Sequence, residues 1–458
     1  MRSEHGSRRQ SLDMSTTNGK RLDASVFRID PRMRGGRYSD QYFLNARAIL
    51  STLAAERYRF TARCAELSEK GFDVSNVDVG NIETEMQCFT KREPFSVACG
   101  VDQAIAILES CTGFTDDTGA FHDTAAQLEV DAVQDGARLL PWKPALRIRG
   151  RYRDFAILET PMLGVLARGT RIATNTYELL KAAGGKPVFF FPARFDLPET
   201  QSADGYAYHI GVQRYNMDEG RQLPVMITTE AQGEWWGGKG GGTVSHSFVL
   251  AFLGDCPEAM LHFSRVLPVD VKRVALVDTK NDCVGESLRT AVAMFSRYYQ
   301  LRCEGKPDET EKYVLFGVRC DTAREIRDVS VEETGEPEHD CGVVPSLVTK
   351  LRAALDRLHE TSDLLKGARE QAGRYFRAVK IVVSGGFDCK RIARFEELGV
   401  PVDMYGVGSS FLTAGVNDYT ADVVRVKVGG RWVHMAKVGR RAIGNPDLER
   451  VPMAQAGR

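Results

Sequence analysis

Lys380-Ile381-Val382-Val383-Ser384-Gly385-Gly386 carries a short apolar run straight into a glycine pair, and Met404-Tyr405-Gly406-Val407-Gly408-Ser409 repeats the pattern about 22 residues later. Branched apolar residues in sequence, without polar alternation, predict strands buried on both faces, as in a parallel sheet. Glycine directly after such a strand permits a tight turn and lets backbone N–H groups come close to a ligand. In a β/α barrel the loops after the last two strands often bind phosphate, helped by nearby helix N-termini. Either cluster alone is equally well explained as a tight turn. The two in tandem predict a phosphate-carrying ligand at Ser384, Gly385, Gly386, Gly406, Gly408 and Ser409.

The same strand-and-helix rhythm begins near residue 165. Apolar runs at 188–191, 225–228, 274–278, 314–320, 381–383 and 402–405 alternate with helical patterns at 177–183, 287–299 and 346–376. In the last of these, Leu347, Val348, Leu351, Leu355 and Leu358 fall on one face at helical spacing. Roughly six units in about 250 residues predict an incomplete or closed β/α barrel in preference to an open sheet. Residues 39–66 read as a helix with Tyr42, Phe43, Ala46, Ile49, Leu50 and Leu53 on its apolar stripe. Strand-like runs follow at 86–90, 145–149 and 155–158, divided by turn-rich breaks at 113–119 and 135–136. The predicted organisation is a polar, Ser/Arg-rich disordered leader (1–24), an α+β domain (25–164), a barrel domain (165–412), and a C-terminal piece (413–458) whose strands at 423–428 and 432–437 rejoin the first domain.

Composition narrows the function. Lys+Arg and Asp+Glu both total 61, so the net charge offers nothing to nucleic acid or an acidic membrane surface. Hydrophobic residues make up 43% and charged residues 27%, as in an ordinary soluble protein. No apolar run comes near the roughly 20 residues of a membrane span. The ten cysteines contain no C-x-x-C pair, which predicts reduced, mostly buried thiols in a cytoplasmic protein and neither a zinc site nor a disulfide frame.

Polar residues at the ends of the other strands complete the expected site. Arg319 and Asp321 follow the 314–318 run, Asp278 ends the 274–277 run, Arg194 follows 188–191, and His246 lies in Gly242-Thr243-Val244-Ser245-His246. A guanidinium at a strand end grips a carboxylate or phosphate by two points, and an aspartate there suits sugar hydroxyls or a Mg²⁺ ion on a diphosphate. Each residue taken singly fits a surface ion pair equally well.

With these residues in place the chain resembles the nicotinate phosphoribosyltransferases, from about residue 38 to residue 440. The resemblance is carried, in order, by Ser39-Asp40-Gln41-Tyr42, Phe89-Thr90-Lys91-Arg92-Glu93-Pro94-Phe95, Leu158-Glu159-Thr160-Pro161, Gly242-Thr243-Val244-Ser245-His246-Ser247-Phe248, Val277-Asp278-Thr279 and Gly317-Val318-Arg319-Cys320-Asp321, and then by the two glycine-ended strands. It implies a type II phosphoribosyltransferase architecture, and formation of nicotinate mononucleotide and diphosphate from nicotinate and phosphoribosyl diphosphate in NAD biosynthesis. It further implies that Tyr42, Arg194, Thr243 and Arg319 shape the nicotinate site, with Tyr42 reaching across a homodimer whose active sites are shared. His246, Asp278 and Asp321 are the implied catalytic residues. His246 is phosphorylated by ATP in ATP-coupled members, which are classed as ligases, and the two aspartates face the ribose and the Mg²⁺-bound diphosphate.

Three places depart from the common family pattern. Asp278-Thr279-Lys280-Asn281 stands where many members have Asp-Thr-Tyr-Asp, Asp321-Thr322-Ala323-Arg324 stands for Asp-Ser-Gly-Asp, and Ala193-Arg194-Phe195 stands where an Arg-Arg pair is common. The second resembles the branch of shorter archaeal-type members. Two other readings remain at this point: transfer to another pyridine, nicotinamide or quinolinate, and a non-catalytic relative that binds phosphoribosyl ligands.

Overall fold

The computed structural model describes residues 21–361 and 367–453. The chain forms two compact units, one from the residues up to Thr170 together with those from Asn417 onward, the other from Arg171–Val416. The first boundary falls inside the 24-residue helix Glu159–Ala182.

The first unit is built on a six-stranded antiparallel sheet. From one edge to the other its strands are Arg431–His434, Tyr419–Val428, Glu83–Thr90, Pro144–Arg151, Glu129–Ala132 and Glu449–Val451. Both strands expected at the C-terminal end are present, and they return to pair with the N-terminal ones. Met86, Cys88, Leu146, Ile148 and Val130 project from the sheet into a core shared with Ile105 and Leu108 of the helix Val101–Cys111.

Two expectations for this unit are corrected, and a third falls mostly outside the described residues. Phe155-Ala156-Ile157-Leu158 is helical, lying across the end of Tyr152–Phe155 and the turn Ala156–Leu158. All four side chains are buried, and a short, wholly buried apolar run has no alternation by which to tell strand from helix. The helix expected over 39–66 spans only Gln41–Ala55, because Arg57 turns into the left-handed region at φ 56°. Of its stripe only Phe43 is buried, and Tyr42 and Ile49 stay 62% and 60% exposed. The leader expected over 1–24 falls outside the described residues up to residue 20, but Arg21 is anchored. It pairs with Asp102 at 2.8 Å and donates to the carbonyls of Ala132 and Val133, while the Leu22 N–H also binds Asp102.

The second unit carries a five-stranded, all-parallel sheet in the order Val188–Phe190, Met404–Val407, Lys380–Val383, Leu315–Cys320, Arg273–Leu276. The expected run at 225–228 contributes a single parallel bridge, Phe190 to Ile227, at the outer edge. Among the described residues no ladder joins that edge to Arg273–Leu276, so the barrel is incomplete. The pattern expected over 346–376 is divided into Pro345–Thr361 and Arg369–Ala378. In the first of these helices Leu347, Val348, Leu351, Leu355 and Leu358 are all buried, as their spacing predicts. Each such side chain contributes about 1.5–3 kcal/mol on removal from water.

Arg273, 2% exposed at the start of its strand, donates to the carbonyls of Leu267 and Pro268 at 2.8 Å and to those of Ser264 and Val271. It ties down the connection entering the sheet at the edge opposite the candidate site. All ten cysteines are free thiols, six of them buried, and no helix of the described residues is long and apolar enough to cross a membrane.

Candidate functional site

Parallel strands deliver their C-terminal ends to one edge, and most of the expected polar residues collect there. Arg319, the penultimate residue of Leu315–Cys320, donates from Nη2 to the carbonyl of Val244 at 3.2 Å, and its guanidinium lies 5.7 Å from the centre of the Phe191 ring. Burial draws Arg319 below its ordinary value. Arg194 adds to that pull, while Asp321 and Asp278 oppose it. Arg194 itself is exposed on the turn Pro192–Arg194, over the Phe195 ring. Thr243 adjoins the acceptor, its hydroxyl 3.4 Å from the Val244 carbonyl oxygen. Guanidiniums and carboxylates thus share one electrostatic neighbourhood.

His246 begins the short helix His246–Ala251, which is capped by the Ser245 side chain. Its Nε2 lies 2.9 Å from Asp278 Oδ2. The Asp278 carboxyl is pushed up, chiefly by burial and further by Asp321, against the lowering effect of His246. Four buried polar atoms in this region have no hydrogen-bond partner: Arg319 Nε, Asp278 Oδ1, Thr279 Oγ1 and Asn281 Oδ1. Buried polar groups are normally satisfied, because each one left unpaired costs about 1–3 kcal/mol. Arg319 Nε and Asp278 Oδ1 are thus open to partners from outside the chain. Asn281 also takes a left-handed φ of 55°, and its Nδ2 donates to the Arg327 carbonyl at 2.7 Å.

The first glycine cluster forms the expected turn. Gly385 and Gly386 have φ of +90° and +74°, a region L side chains rarely adopt. Ser384 opens the turn, its hydroxyl donating to Asp321 Oδ1 at 2.7 Å and its N–H to the Cys320 carbonyl at 3.0 Å. The turn and the end of the neighbouring strand are therefore locked together. At the second cluster the glycines have a packing reason as well. A Cβ on Gly406 would stand 2.6 Å from the Phe191 ring, and one on Gly408 would stand 2.5 Å from the Phe195 ring. Ser409 sits exposed before the four-residue helix Ser410–Thr413. The two clusters are adjacent: the same Cβ on Gly406 would lie 3.1 Å from Ser384 Cβ.

Two residues absent from the sequence expectation flank the first turn. Arg324 donates to the Gly386 carbonyl, and Arg391 donates to the carbonyls of Gly385 at 2.8 Å and Val343 at 2.7 Å. Arg391 left one trace in the sequence. It lies in the first turn of the helix Cys389–Glu397, where a cation opposes the helix dipole unless something else needs it.

Tyr42 belongs to the first unit, where it is exposed in the first turn of Gln41–Ala55. Its neighbour Asp40 joins two stretches far apart in sequence. Thr160 Oγ1 donates to Asp40 Oδ2 at 2.9 Å and accepts from the Asp40 N–H at 3.1 Å. Beside it Glu159 is raised from an ordinary 4.5 to about 7, by burial first and then by Asp422 and Asp40. The folded chain holds that proton more tightly than the unfolded chain. The contribution to stability is therefore present below pH 4.5 and is lost as pH rises through about 7. Glu159→Gln is expected to raise stability at pH 8 by about 1–2 kcal/mol, after discounting for partial exposure, and to give no gain at pH 4. Thermal melts of the two proteins at both pH values check this.

Comparison with known proteins agrees with this architecture. The sequence profile described as "Quinolinate phosphoribosyl transferase, N-terminal domain" matches residues 72–170. A nicotinate phosphoribosyltransferase of Mycobacterium tuberculosis is 24% identical over 388 residues, covering 81% of this chain and 71% of the relative. The human nicotinate phosphoribosyltransferase is 26% identical over 332 residues, covering 67% of this chain and 56% of that protein. Among solved structures, a nicotinate-nucleotide pyrophosphorylase from Pyrococcus furiosus superposes with a TM-score of 0.60 at 25% identity, covering 93% of this chain and 86% of the other. Human nicotinic acid phosphoribosyltransferase shares the fold, with a TM-score of 0.53 at 16% identity over 86% of this chain and 76% of that one.

Proposed function

We propose that this chain, which is similar to the nicotinate phosphoribosyltransferases and has the type II phosphoribosyltransferase fold, transfers the phosphoribosyl group of phosphoribosyl diphosphate to nicotinate, forming nicotinate mononucleotide and diphosphate for NAD biosynthesis. The observation that carries this reading is Arg319. It is a largely buried guanidinium with an unpaired Nε, beside the Phe191 ring and close to two aspartates, and it faces the chemistry of an aromatic acid.

In this reading the pyridine carboxylate pairs with Arg319, assisted by Arg194 and Thr243, and the ring packs near Phe191. The 5′-phosphate sits at Ser384, Gly385 and Gly386, with Gly406, Gly408 and Ser409 beside it. Departure of diphosphate leaves positive character on the ribose, and the carboxylates of Asp278 and Asp321 are suited to stabilise it. The pyridine nitrogen then attacks the anomeric carbon without a strong base, so positioning supplies most of the rate. The unpaired Asp278 Oδ1 and the nearby Asp321 also fit a hard cation that takes its other oxygens from the diphosphate. Mg²⁺ held there would neutralise charge on the leaving group.

Asp278 orients the His246 ring, which suits His246 to accept a phosphoryl group from ATP if synthesis is coupled to hydrolysis, the ligase-type form of the reaction. The exposed apolar side chains of Tyr38, Tyr42 and Ile49 support a homodimer in which Tyr42 serves a shared site. The ten free thiols accord with a cytoplasmic enzyme. Quinolinate is the second reading, favoured by the profile over residues 72–170. Its additional carboxylate would call on Arg194 as well as Arg319.

The test is diphosphate release from phosphoribosyl diphosphate and Mg²⁺ with nicotinate, nicotinamide or quinolinate, each with and without ATP. Release with nicotinate above the other two supports the proposal. Release with quinolinate alone replaces it with the second reading, and release with none makes the chain a binding relative. Stimulation by ATP that disappears in His246→Ala while basal transfer persists assigns His246 its coupling role.

A further inference from the structure

The turn at Gly385-Gly386 is flanked by two cations, Arg324 and Arg391, of which Arg391 feels the nearby charge of Asp388. Among the described residues neither Arg324 nor Arg391 forms an ion pair. The nearby carboxylate of Asp388 is engaged by the Arg391 backbone N–H at 2.8 Å. Arg391 is a strut: its two terminal nitrogens are both on carbonyls, of Gly385 and Val343, and its guanidinium lies 4.3 Å from the Phe387 ring centre. Arg324 is different. It is exposed, lies flat enough against Gly386 that an added Cβ would meet its Nε at 2.6 Å, and uses Nη2 on that residue's carbonyl. A guanidinium has five N–H donors, so the anchored fork keeps most of them for another acceptor. Arg324 also lowers Arg391, whose pKa falls to about 10 chiefly through burial. Two cations that repel each other at a turn of positive-φ glycines are relieved by a dianion.

We propose that Arg324 grips the terminal phosphomonoester of the ribose substrate at the 384–386 turn, while Arg391 holds the turn in shape. This rests on the reading that the turn receives the 5′-phosphate, and it adds the side chain that confers the affinity. A phosphomonoester is close to a dianion at neutral pH and offers three acceptor oxygens, which matches a guanidinium already fixed at one corner.

The test is calorimetric titration of the full chain with two separate probes. Ribose 5-phosphate carries only the sugar-phosphate end, and inorganic diphosphate carries only the leaving-group end. Arg324→Ala is expected to weaken ribose 5-phosphate about tenfold or more and to leave diphosphate within about twofold. Arg324→Gln, which can still donate to the Gly386 carbonyl, is expected to show the same loss, and Arg324→Lys to recover part of it. Unchanged ribose 5-phosphate affinity in the alanine variant overturns the proposal, as does wild-type affinity in the glutamine variant or a loss confined to diphosphate. None of these measurements needs turnover. A chain that binds ribose 5-phosphate through Arg324 yet releases no diphosphate with any pyridine keeps this inference and loses the proposed activity.

Discussion

Replacing Arg319 by alanine is expected to lower kcat/KM for nicotinate by roughly 10²- to 10³-fold, because truncating one partner of a buried charge pair costs about 2–5 kcal/mol. The guanidinium is held by the Val244 carbonyl at 3.2 Å and by the nearby Phe191 ring, so its direction is fixed before any acid arrives. Arg319→Lys is expected to recover little, since an ammonium cannot reproduce a planar two-point contact. Steady-state kinetics with nicotinate as the varied substrate give the result. The loss should exceed the corresponding loss for nicotinamide, which brings no carboxylate to pair.

The second large effect is expected at Asp278. Asp278→Asn should reduce kcat/KM about 10²-fold, as loss of a preorganised charge at a developing cation does. It should also remove an acid limb from the pH profile of the wild type. The sign follows from burial, which raises the Asp278 carboxyl from its ordinary 3.8. The ionised form needed for catalysis is therefore lost at a higher pH than for a solvated aspartate, and activity falls as pH decreases through that raised value. For stability the same shift acts in the opposite sense. The contribution of the proton is present below the ordinary value and is lost as pH rises through the folded one, so at neutral pH the wild type carries the cost of a buried charge. Asp278→Asn should consequently melt no lower than the wild type at neutral pH while losing activity. A merely structural carboxylate would lose both together.

Much of the second unit was legible because its strands are buried on both faces and end in punctuation. The apolar runs at 188–191, 274–278, 314–320 and 381–383 are strands within one or two residues of their expected limits. The strand expected at 402–405 begins two residues later, at Met404. The run at 225–228 failed as a strand because it lies at an open edge and makes one bridge only. The stripe on Gln41–Ala55 misled for another reason: its spacing is helical, yet Tyr42 and Ile49 face outward. Periodicity reports an apolar face but does not say what covers it.

At the site, residue type and strand-end position singled out Arg319, Asp278 and Asp321, and the Gly242–His246 stretch singled out His246; the structure brings them together through the His246–Asp278 contact and the electrostatic neighbourhood of Arg319. Glycine composition pointed to both clusters for a single reason, whereas only Gly385 and Gly386 have positive φ. Gly406 and Gly408 make room for aromatic rings that come from elsewhere in the chain. Arg324 was not legible and Arg391 left only its place in a helix's first turn, because their partners are backbone carbonyls that no side-chain pattern encodes.

The most direct measurement is the position of nicotinate mononucleotide in a crystal of the chain grown with that product. The pyridine carboxylate should lie about 2.7–2.9 Å from the Arg319 guanidinium, with the phosphate on the 384–386 turn of the same molecule. A nucleotide bound with its carboxylate out of reach of Arg319, or with its phosphate away from that turn, would contradict the account.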